Sequence, residues 1–220
     1  MQLEEHEYLT LNDECSGEFK DKGSRFIAYA VGVSTEEEAN DFIDRIKKQH
    51  HKARHHCYAF RVGHDSNLTE RQNDDGEPSG TAGRPILGQL ISFGLQNSIV
   101  IVVRYFGGVK LGTSGLIRAY RQAAKEALDT GHIIKKEVLD SYLVDTDYTC
   151  SHHFMDACKK LDVPIMKQEF TSRAKFMISL PPQTADEKLL QLKALTLQVP
   201  EEMAENEETL AWHVDPIDLS

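Results

Sequence analysis

Two segments in the first third of the chain alternate between apolar and polar residues. Residues 22–33 and 54–63 both show the two-residue period of a β-strand that has a different face on each side. Between them, Ser34 and Thr35 are followed by three glutamates, a composition typical of a capped helix start. Apolar residues with helical spacing then follow at Ala39, Phe42, Ile43 and Ile46. The pattern therefore predicts strand, helix and strand in that order.

The middle of the chain predicts a polar loop, a helix, a strand and a second helix. Residues 64–80 are rich in Asp, Gly and Pro, so they read as a loop. Thr81 is placed to cap the helix after it, with Pro85 in its first turn. In residues 97–128, an apolar β-branched run at 99–103 precedes a turn broken by four glycines and then an amphipathic helix.

After Gly131 the pattern changes and predicts a separate domain. The predicted elements are a strand at 138–147, a helix at 151–161, strands at 163–170 and 173–180, a helix at 184–195 and a strand at 210–214. This β-α-β-β-α-β order is the ferredoxin-like arrangement. We predict an α+β protein with domains at residues 1–134 and 135–220, and an acid-rich loop at 201–208.

Composition and charge narrow the class of protein. The chain has no apolar run of membrane-span length, an acidic N-terminus without the core of a signal peptide, and four scattered cysteines. These features predict a reduced, cytoplasmic protein without membrane contact. The net charge is −10, yet residues 51–125 carry ten Lys and Arg against five Asp and Glu, whereas residues 136–220 carry eight against sixteen. The basic middle and the acidic C-terminal part therefore form electrically distinct regions.

The candidate chemistry centres on the strand, loop and helix of residues 97–128. Glycines let a backbone approach a ligand closely, and the start of a helix offers unpaired N–H groups at the positive end of its dipole. These features predict a phosphate site; the alternative is a tight turn in which Thr113 or Ser114 caps the helix. The predicted phosphate-binding residues are Arg54, Arg61, Arg104, Gly107, Gly108, Lys110, Gly112, Thr113, Ser114, Arg118 and Arg121.

A second candidate lies in the preceding loop. Its carboxylates could hold a cation or act as acid and base, and its glycines near a helix start could form another anion nest. The alternative is an exposed Asp-Gly turn that leads into a capped helix. The residues of this secondary anion or cation loop are Asp74, Asp75, Glu77, Gly80, Thr81 and Gly83.

The histidine-rich segment at residues 50–56 invites a metal interpretation, but its spacing opposes one. His55 and His56 point to opposite faces of a strand, and no second Cys/His pair has metal-ligand spacing. We predict a polar surface here, with no metal and no cofactor. Cys57 is interpreted as a packed thiol, and no catalytic residue set can be assigned from spacing.

Four blocks of sequence together resemble the IMPACT family, and within it the bacterial YigZ-type members. They are KGSRFIAYA at 22–30, HKARHHCYAFRVG at 51–63, NDDGEPSGTAGRPIL at 73–87 and VVRYFGGVKLGTSGLIRAY at 102–120. The resemblance implies an N-terminal domain of the fold shared by a small-subunit ribosomal protein and the GHMP kinases. It also implies a C-terminal ferredoxin-like domain similar to the last domain of elongation factor G.

The resemblance also frames the function. The resemblance implies that eukaryotic members act in translational control by competing for the activator of a kinase that targets an initiation factor. They carry an extra N-terminal binding domain that this chain lacks, so that specific role is not carried over to it. The family carries no catalytic residue set, and for bacterial members it implies an association with nucleic acid or the ribosome. We therefore predict a non-enzymatic RNA-binding or ribosome-associated protein, a translation regulator. The alternatives are an enzyme acting on a small phosphorylated ligand, and a regulator that binds a protein partner through its acidic C-terminal domain.

Overall fold

A computed structural model describes residues 6–64, 67–206 and 211–217. These residues divide into two compact units, one of residues 7–136 and one of residue 6 with residues 137–217. The strands of the first unit are β1 (Glu7–Leu11), β2 (Cys15–Asp21), β3 (Ser24–Gly32), β4 (His55–Val62), β5 (Thr69–Asn73), β6 (Ser98–Tyr105) and β7 (Ile133–Glu137), the last of which ends at the division. Its helices are α1 (Glu36–Gln49), α2 (Gly83–Ser92) and α3 (Gly112–Asp129).

The first unit is built on an antiparallel sheet of five strands in the order β2-β3-β6-β4-β5. The buried strand β6 lies at its centre, where Arg104 pairs with Phe26 of β3 on one side and with His55 of β4 on the other. Strands β1 and β7 form a separate two-stranded sheet. Because β6 is covered on both faces, its sequence is an apolar run, as expected of a central strand.

Two apolar cores cover the two faces of this sheet. Strand residues that point to one face, such as Phe26, Cys57 and Val102, pack with α2 and α3. Strand residues that point to the opposite face, such as Phe60 and Ile101, pack with the apolar stripe of α1. The predicted cap of α1 is confirmed, because the Thr35 hydroxyl accepts from the amide of Glu38, whose carboxylate in turn accepts from the amide of Ser34. The unit is thus a sheet between one helix and a pair of helices.

Two local predictions were wrong in this unit. Residues 64–80 are not all loop, because residues 69–73 form the edge strand β5, paired with residues 58–62 of β4. Its sequence, TERQN, lacks apolar residues since the strand is largely exposed, so no periodicity marks it. Thr81 does not cap α2: its hydroxyl donates to the carbonyl of Pro78, and α2 has no side-chain cap from Ala82, the residue at its N-cap.

The second unit has the predicted ferredoxin-like topology. Its elements are β8 (Asp140–Thr146), α4 (Tyr148–Lys160), β9 (Ile165–Phe170), β10 (Ala174–Leu180), α5 (Pro182–Leu197), α6 (Glu201–Asn206) and β11 (Trp212–Ile217). The antiparallel sheet has the order β11-β8-β10-β9, and α4 and α5 contribute to one core with Phe176 and Trp212. The acid-rich segment predicted as a loop is helical from 201 to 206, and Leu210 lies outside the described residues.

Among the residues that the structure describes, no helix combines the length and the apolar character needed to cross a membrane.

Candidate anion-binding site

Helices α2 and α3 begin at the same end of the central sheet. The loop before α2 contacts the start of β4, since the carbonyl of Asp75 bonds to the ring Nδ1 of His55 at 2.8 Å. Helix α3 follows the end of β6 at Tyr105. The neighbouring residue Arg104 pairs with His55, so the end of β6 lies beside the start of β4. The positive ends of both helix dipoles therefore lie at this end of the sheet. Any anion held by either helix would be bound here.

Asp74 occupies the anion nest at the start of α2. One of its carboxylate oxygens accepts from the amides of Ala82 and Gly83 at 2.9 and 2.8 Å, and the other accepts from the amide of Gly80 at 2.8 Å. A carboxylate at a helix start satisfies unpaired amides and complements the dipole. The secondary nest predicted at Gly80 and Gly83 is therefore filled by a side chain of the protein itself.

Glu77 forms a buried ion pair with Arg104. Its Oε1 accepts from Nη1 of Arg104 at 2.6 Å and from the hydroxyl of Tyr120 on α3 at 2.8 Å. The two charged side chains are 4% and 7% exposed. The guanidinium of Arg104 also lies 5.4 Å from the ring centre of Phe26 and 5.5 Å from that of Phe106. Because Arg104 is enclosed in this way, it positions the loop that follows it and is not itself open to a ligand.

The carboxylate of Asp75 in the loop before α2 and the thiol of Cys57 on β4 are also engaged in hydrogen bonds within the protein. The Asp75 carboxylate accepts from the backbone amide of His56 at 2.6 Å, and Asp75 and Gly76 form a turn with positive φ angles. The Cys57 thiol donates to the carbonyl of Asp74, and burial raises its pKa far above the usual range. Cys57 is thus a packed thiol rather than a nucleophile.

The histidine-rich segment is organised by hydrogen bonds, and the described residues contain no group of metal-binding side chains. His50 lies between the hydroxyls of Tyr29 and Tyr105, at 2.8 and 2.9 Å from its two ring nitrogens. The ring Nε2 of His56 bonds to the carbonyl of His50 at 3.2 Å. In this arrangement the histidines connect the end of α1 to the sheet.

The loop between β6 and α3 lies against the turn between β2 and β3. The amide of Gly107 donates to the hydroxyl of Ser24, and a Cβ on Gly107 would lie 1.9 Å from the backbone of Gly23. Gly107 is therefore required by close backbone approach. Gly108 and Gly112 have φ angles of 88° and 72°, and no atom lies within 4 Å of where their Cβ atoms would be. The loop is anchored at its start and open at its outer surface.

The start of α3 is open. Neither Thr113 nor Ser114 caps it, since its N-cap is Leu111 without a side-chain hydrogen bond, so the predicted alternative of a hydroxyl cap is not observed. The side chains around this start are exposed: Phe106 is 55% and Val109 50% accessible, and Lys110 is exposed without a partner among the described residues. Arg118 is 67% exposed while its Nη2 bonds to Asp21 at 2.6 Å. The loop and the helix start thus expose backbone amides, the ammonium of Lys110 and the ring of Phe106.

The other predicted arginines lie in three different places. Arg54 is exposed just before β4, at the same end of the sheet as the loop. Arg61 lies six residues after His55, the first residue of β4, and so about 20 Å from that end at the rise of a strand. It bonds to Glu70 and to the carbonyl of Leu95. Arg121 faces a groove between α2 and α3, together with Arg84. Of the predicted arginines, Arg54 and Arg118 lie at the same end of the sheet as Lys110.

The sequence did not reveal that Asp74 caps α2, that Tyr120 donates a hydrogen bond to Glu77, or that Arg84 lines the groove between α2 and α3. Asp74 lies six to nine residues before the amides that it binds. No spacing rule marks such a cap, because the loop that returns the carboxylate to the helix start has no fixed geometry. Tyr120 was concealed within the apolar stripe of α3. Arg84 offered a visible signal, since a cation stands directly after Gly83 at a predicted helix start.

Comparison with known proteins places these features in a family. A sequence model of the Impact N-terminal domain matches residues 22–128. The chain is 42% identical over 144 residues to the IMPACT family member YvyE of Bacillus subtilis, an alignment that covers 66% of each protein. It is 35% identical over 181 residues to an IMPACT family member of Haemophilus influenzae, covering 82% of this chain and 88% of that protein. It is also 34% identical over 165 residues to the IMPACT family member YigZ of Escherichia coli, of which 79% is covered.

A solved structure supports the fold over nearly the whole chain. The crystal structure of a hypothetical protein superposes with a TM-score of 0.75 at 27% sequence identity, covering 98% of this chain and 99% of the other. The similarity therefore extends beyond the matched N-terminal domain to the ferredoxin-like unit.

Proposed function

Since this chain belongs to the IMPACT family, we propose that it is a translation regulator that binds RNA, alone or in the ribosome, through the loop between β6 and α3. The family supports the translational setting, because relatives in two yeasts share the name Protein IMPACT homolog and the family resemblance implies translational control. The proposal concerns binding, with phosphate as the group recognised and the cytoplasm as the compartment. The arrangement at the start of α3 carries it.

The uncapped start of α3 is the observation on which the proposal rests. No side chain among the described residues caps its first amides, and no atom lies within 4 Å of where the Cβ atoms of Gly108 and Gly112 would be. Helix starts of this kind bind phosphate through N–H groups and the dipole. Lys110 adds a full positive charge at the same place. A phosphate of the RNA backbone is thus the ligand that this end of the helix suits best.

Phe106 extends the site from phosphate to RNA. Its ring is 55% exposed although it is large and apolar, and it is held in place by the guanidinium of Arg104 beneath it. Proteins bind unpaired bases by stacking them on exposed aromatic rings of this kind. A single-stranded loop with one phosphate at the amides of α3 and a base on Phe106 is therefore the expected ligand.

The proposal is tested by fluorescence anisotropy with a labelled RNA hairpin at increasing salt. We expect Lys110→Glu to weaken binding and to reduce the slope of log affinity against log salt by roughly 0.7–0.9, the value of about one phosphate contact. We expect Phe106→Ala to weaken binding by about 1–3 kcal/mol with little change of slope. The matched control is Lys48→Glu, which makes the same charge change on the exposed side of α1, across the sheet.

Equal binding by the wild type and both loop variants would rule out this site. Equal weakening by Lys110→Glu and Lys48→Glu would show that only the overall charge matters. Arg104→Glu is unsuitable as a test, because Arg104 is buried against Glu77 and its loss would disturb the fold.

A further inference from the structure

A groove of about 760 Å³ runs between α2 and α3 on the side away from the sheet. Its floor is apolar, with Pro85, Leu87 and Ile91 from α2 and Ile117 from α3. Ile91 is 51% exposed and adds apolar surface to the open side of the groove. Its lining extends from Gly80, just before α2, to Ile91 near the end of that helix, with Ile117 and Arg121 on α3.

Each wall of the groove carries one arginine. Arg84 belongs to the first turn of α2, and Arg121 lies in the middle of α3. Both are exposed, and neither has a hydrogen bond or an ion pair with any residue that the structure describes. Most of the other arginines in the first unit are paired with carboxylates, including Arg25, Arg45, Arg61, Arg71, Arg104 and Arg118. Two unpaired guanidiniums at one apolar groove favour a ligand that carries an anionic group.

We propose that this groove binds a nucleoside monophosphate group, with the base against the apolar floor and the phosphate held by Arg84 and Arg121. The volume lies within the range of about 300–1,000 Å³ typical of small-ligand sites, which are mostly apolar with a few orienting polar groups. Guanidinium planes also stack on bases and bind phosphate with two parallel hydrogen bonds. One ligand class thus satisfies both the floor and the walls.

Helix α2 has 10 residues, so this wall of the groove is about 15 Å long, and a single nucleotide fits within it.

The nucleotide has two natural sources, a free monophosphate or the 5′-phosphorylated end of an RNA. The second source would deepen the proposed function, because an RNA held at Lys110 and Phe106 could place its end in the groove. The groove and the loop use different residues, so the two proposals can fail separately.

The test measures binding of adenosine monophosphate to the intact chain by isothermal titration calorimetry. We expect adenosine and inorganic phosphate each to bind at least about tenfold more weakly, because each lacks half of the recognised group. Arg84→Ala should weaken binding of adenosine monophosphate by about tenfold or more, and Arg84→Lys should not restore it, since an ammonium cannot make the planar, paired contact. The control is Lys48→Glu, which should change nothing.

Gly88→Leu separates a blocked groove from a damaged fold. Gly88 lies within α2 and faces the groove, with no atom within 4 Å of where a Cβ would be. Leucine favours a helix more than glycine does, so this variant should raise the melting temperature. It should also abolish binding of adenosine monophosphate. The proposal would be overturned if Gly88→Leu bound adenosine monophosphate as the wild type does. It would also be overturned if the wild type bound adenosine monophosphate no more tightly than inorganic phosphate.

Labelled hexaadenylate RNA with a 5′-phosphate or a 5′-hydroxyl identifies the source. Tighter binding of the phosphorylated RNA, lost in Gly88→Leu, would assign the groove to RNA ends; binding of adenosine monophosphate alone would assign it to the free nucleotide. Hairpin binding that depends on Lys110, without any binding of adenosine monophosphate, would remove the groove and leave the proposed function intact. Binding of an acidic amphipathic peptide through Arg84, without the nucleotide, would instead assign the groove to a protein partner.

Discussion

The pair of Arg104 and Glu77 shows how one buried contact holds the loop in place. Glu77 also accepts from Tyr120, so it links the loop before α2, the end of β6 and the body of α3. Loss of one member leaves the other charge buried without compensation, which costs far more than loss of an exposed pair. The pair is therefore structural support for the open start of α3 rather than part of a ligand site.

We predict that Glu77→Gln lowers the free energy of unfolding by about 3–5 kcal/mol. The exposed pair of Lys125 and Asp129, with side chains 47% and 44% accessible, provides the control, because Asp129→Asn should cost about 0–1 kcal/mol. Urea denaturation followed by circular dichroism measures both values. Similar losses in the two variants would contradict the supporting role of Glu77.

His50 makes stability depend on pH. Burial lowers its pKa below the ordinary value of 6.5, with a further contribution from His56. The unfolded chain therefore takes up a proton at His50 before the folded chain does, so this contribution to stability is present above the unfolded pKa and is lost as pH falls below 6.5. Glutamine at this position can still bond to both tyrosines. We predict that, as the pH is lowered from about 8 to about 5.5, the melting temperature of His50→Gln falls less than that of the wild type. An identical loss in both proteins would contradict this assignment.

Side-chain faces could be predicted from the sequence, whereas partners could not. Alternation in residues 22–33 correctly placed Phe26 and Ala28 on one side of β3, because the two-residue period is a property of every strand. No local rule joins Glu77 to Arg104, which stands 27 residues further along the chain. The anion-site prediction treated Arg104 as free, since the type of a charged residue does not reveal whether folding supplies it with a partner.

At the scale of elements, Asp74 fixes the start of α2 from outside the helix. Its carboxylate serves three amides, whereas the hydroxyl of Thr35 serves one at the start of α1. Loss of a helix cap costs about 0.5–2 kcal/mol. We predict that Asp74→Ala reaches at least the upper end of that range, whereas Thr35→Ala costs about 1 kcal/mol. Amide hydrogen exchange over residues 80–92 should rise only in the first variant, and equal exchange in both would show that Asp74 is not the cap.

The helices and the central strands were visible in the sequence because their buried sides are regular. The predicted helix at 184–195 and strand at 173–180 correspond to α5 and β10. Strands β2 and β5 were missed, since edge strands with few buried residues carry no apolar alternation. The pairing of β1 with β7 depends on residues more than 120 positions apart, which no local pattern encodes.

At the scale of the whole molecule, the two units differ in charge. Residues 137–220 carry nine more Asp and Glu than Lys and Arg, which leaves residues 1–136 close to neutral. Repulsion between this acidic region and RNA acts at long range and is screened by salt. We predict that a fragment of residues 1–136 unfolds cooperatively and, at low salt, binds an RNA hairpin about three- to tenfold more tightly than the intact chain.

The salt dependence decides whether this gain is electrostatic. The screening length falls from about 10 Å at 0.1 M to about 3 Å at 1 M salt, so the two affinities should converge as salt rises. Lys110→Glu introduced into the fragment should weaken binding as it does in the intact chain, since the contact lies within residues 7–136. A folded fragment that binds RNA more weakly than the intact chain at every salt concentration would show that the ferredoxin-like unit supplies RNA contacts of its own.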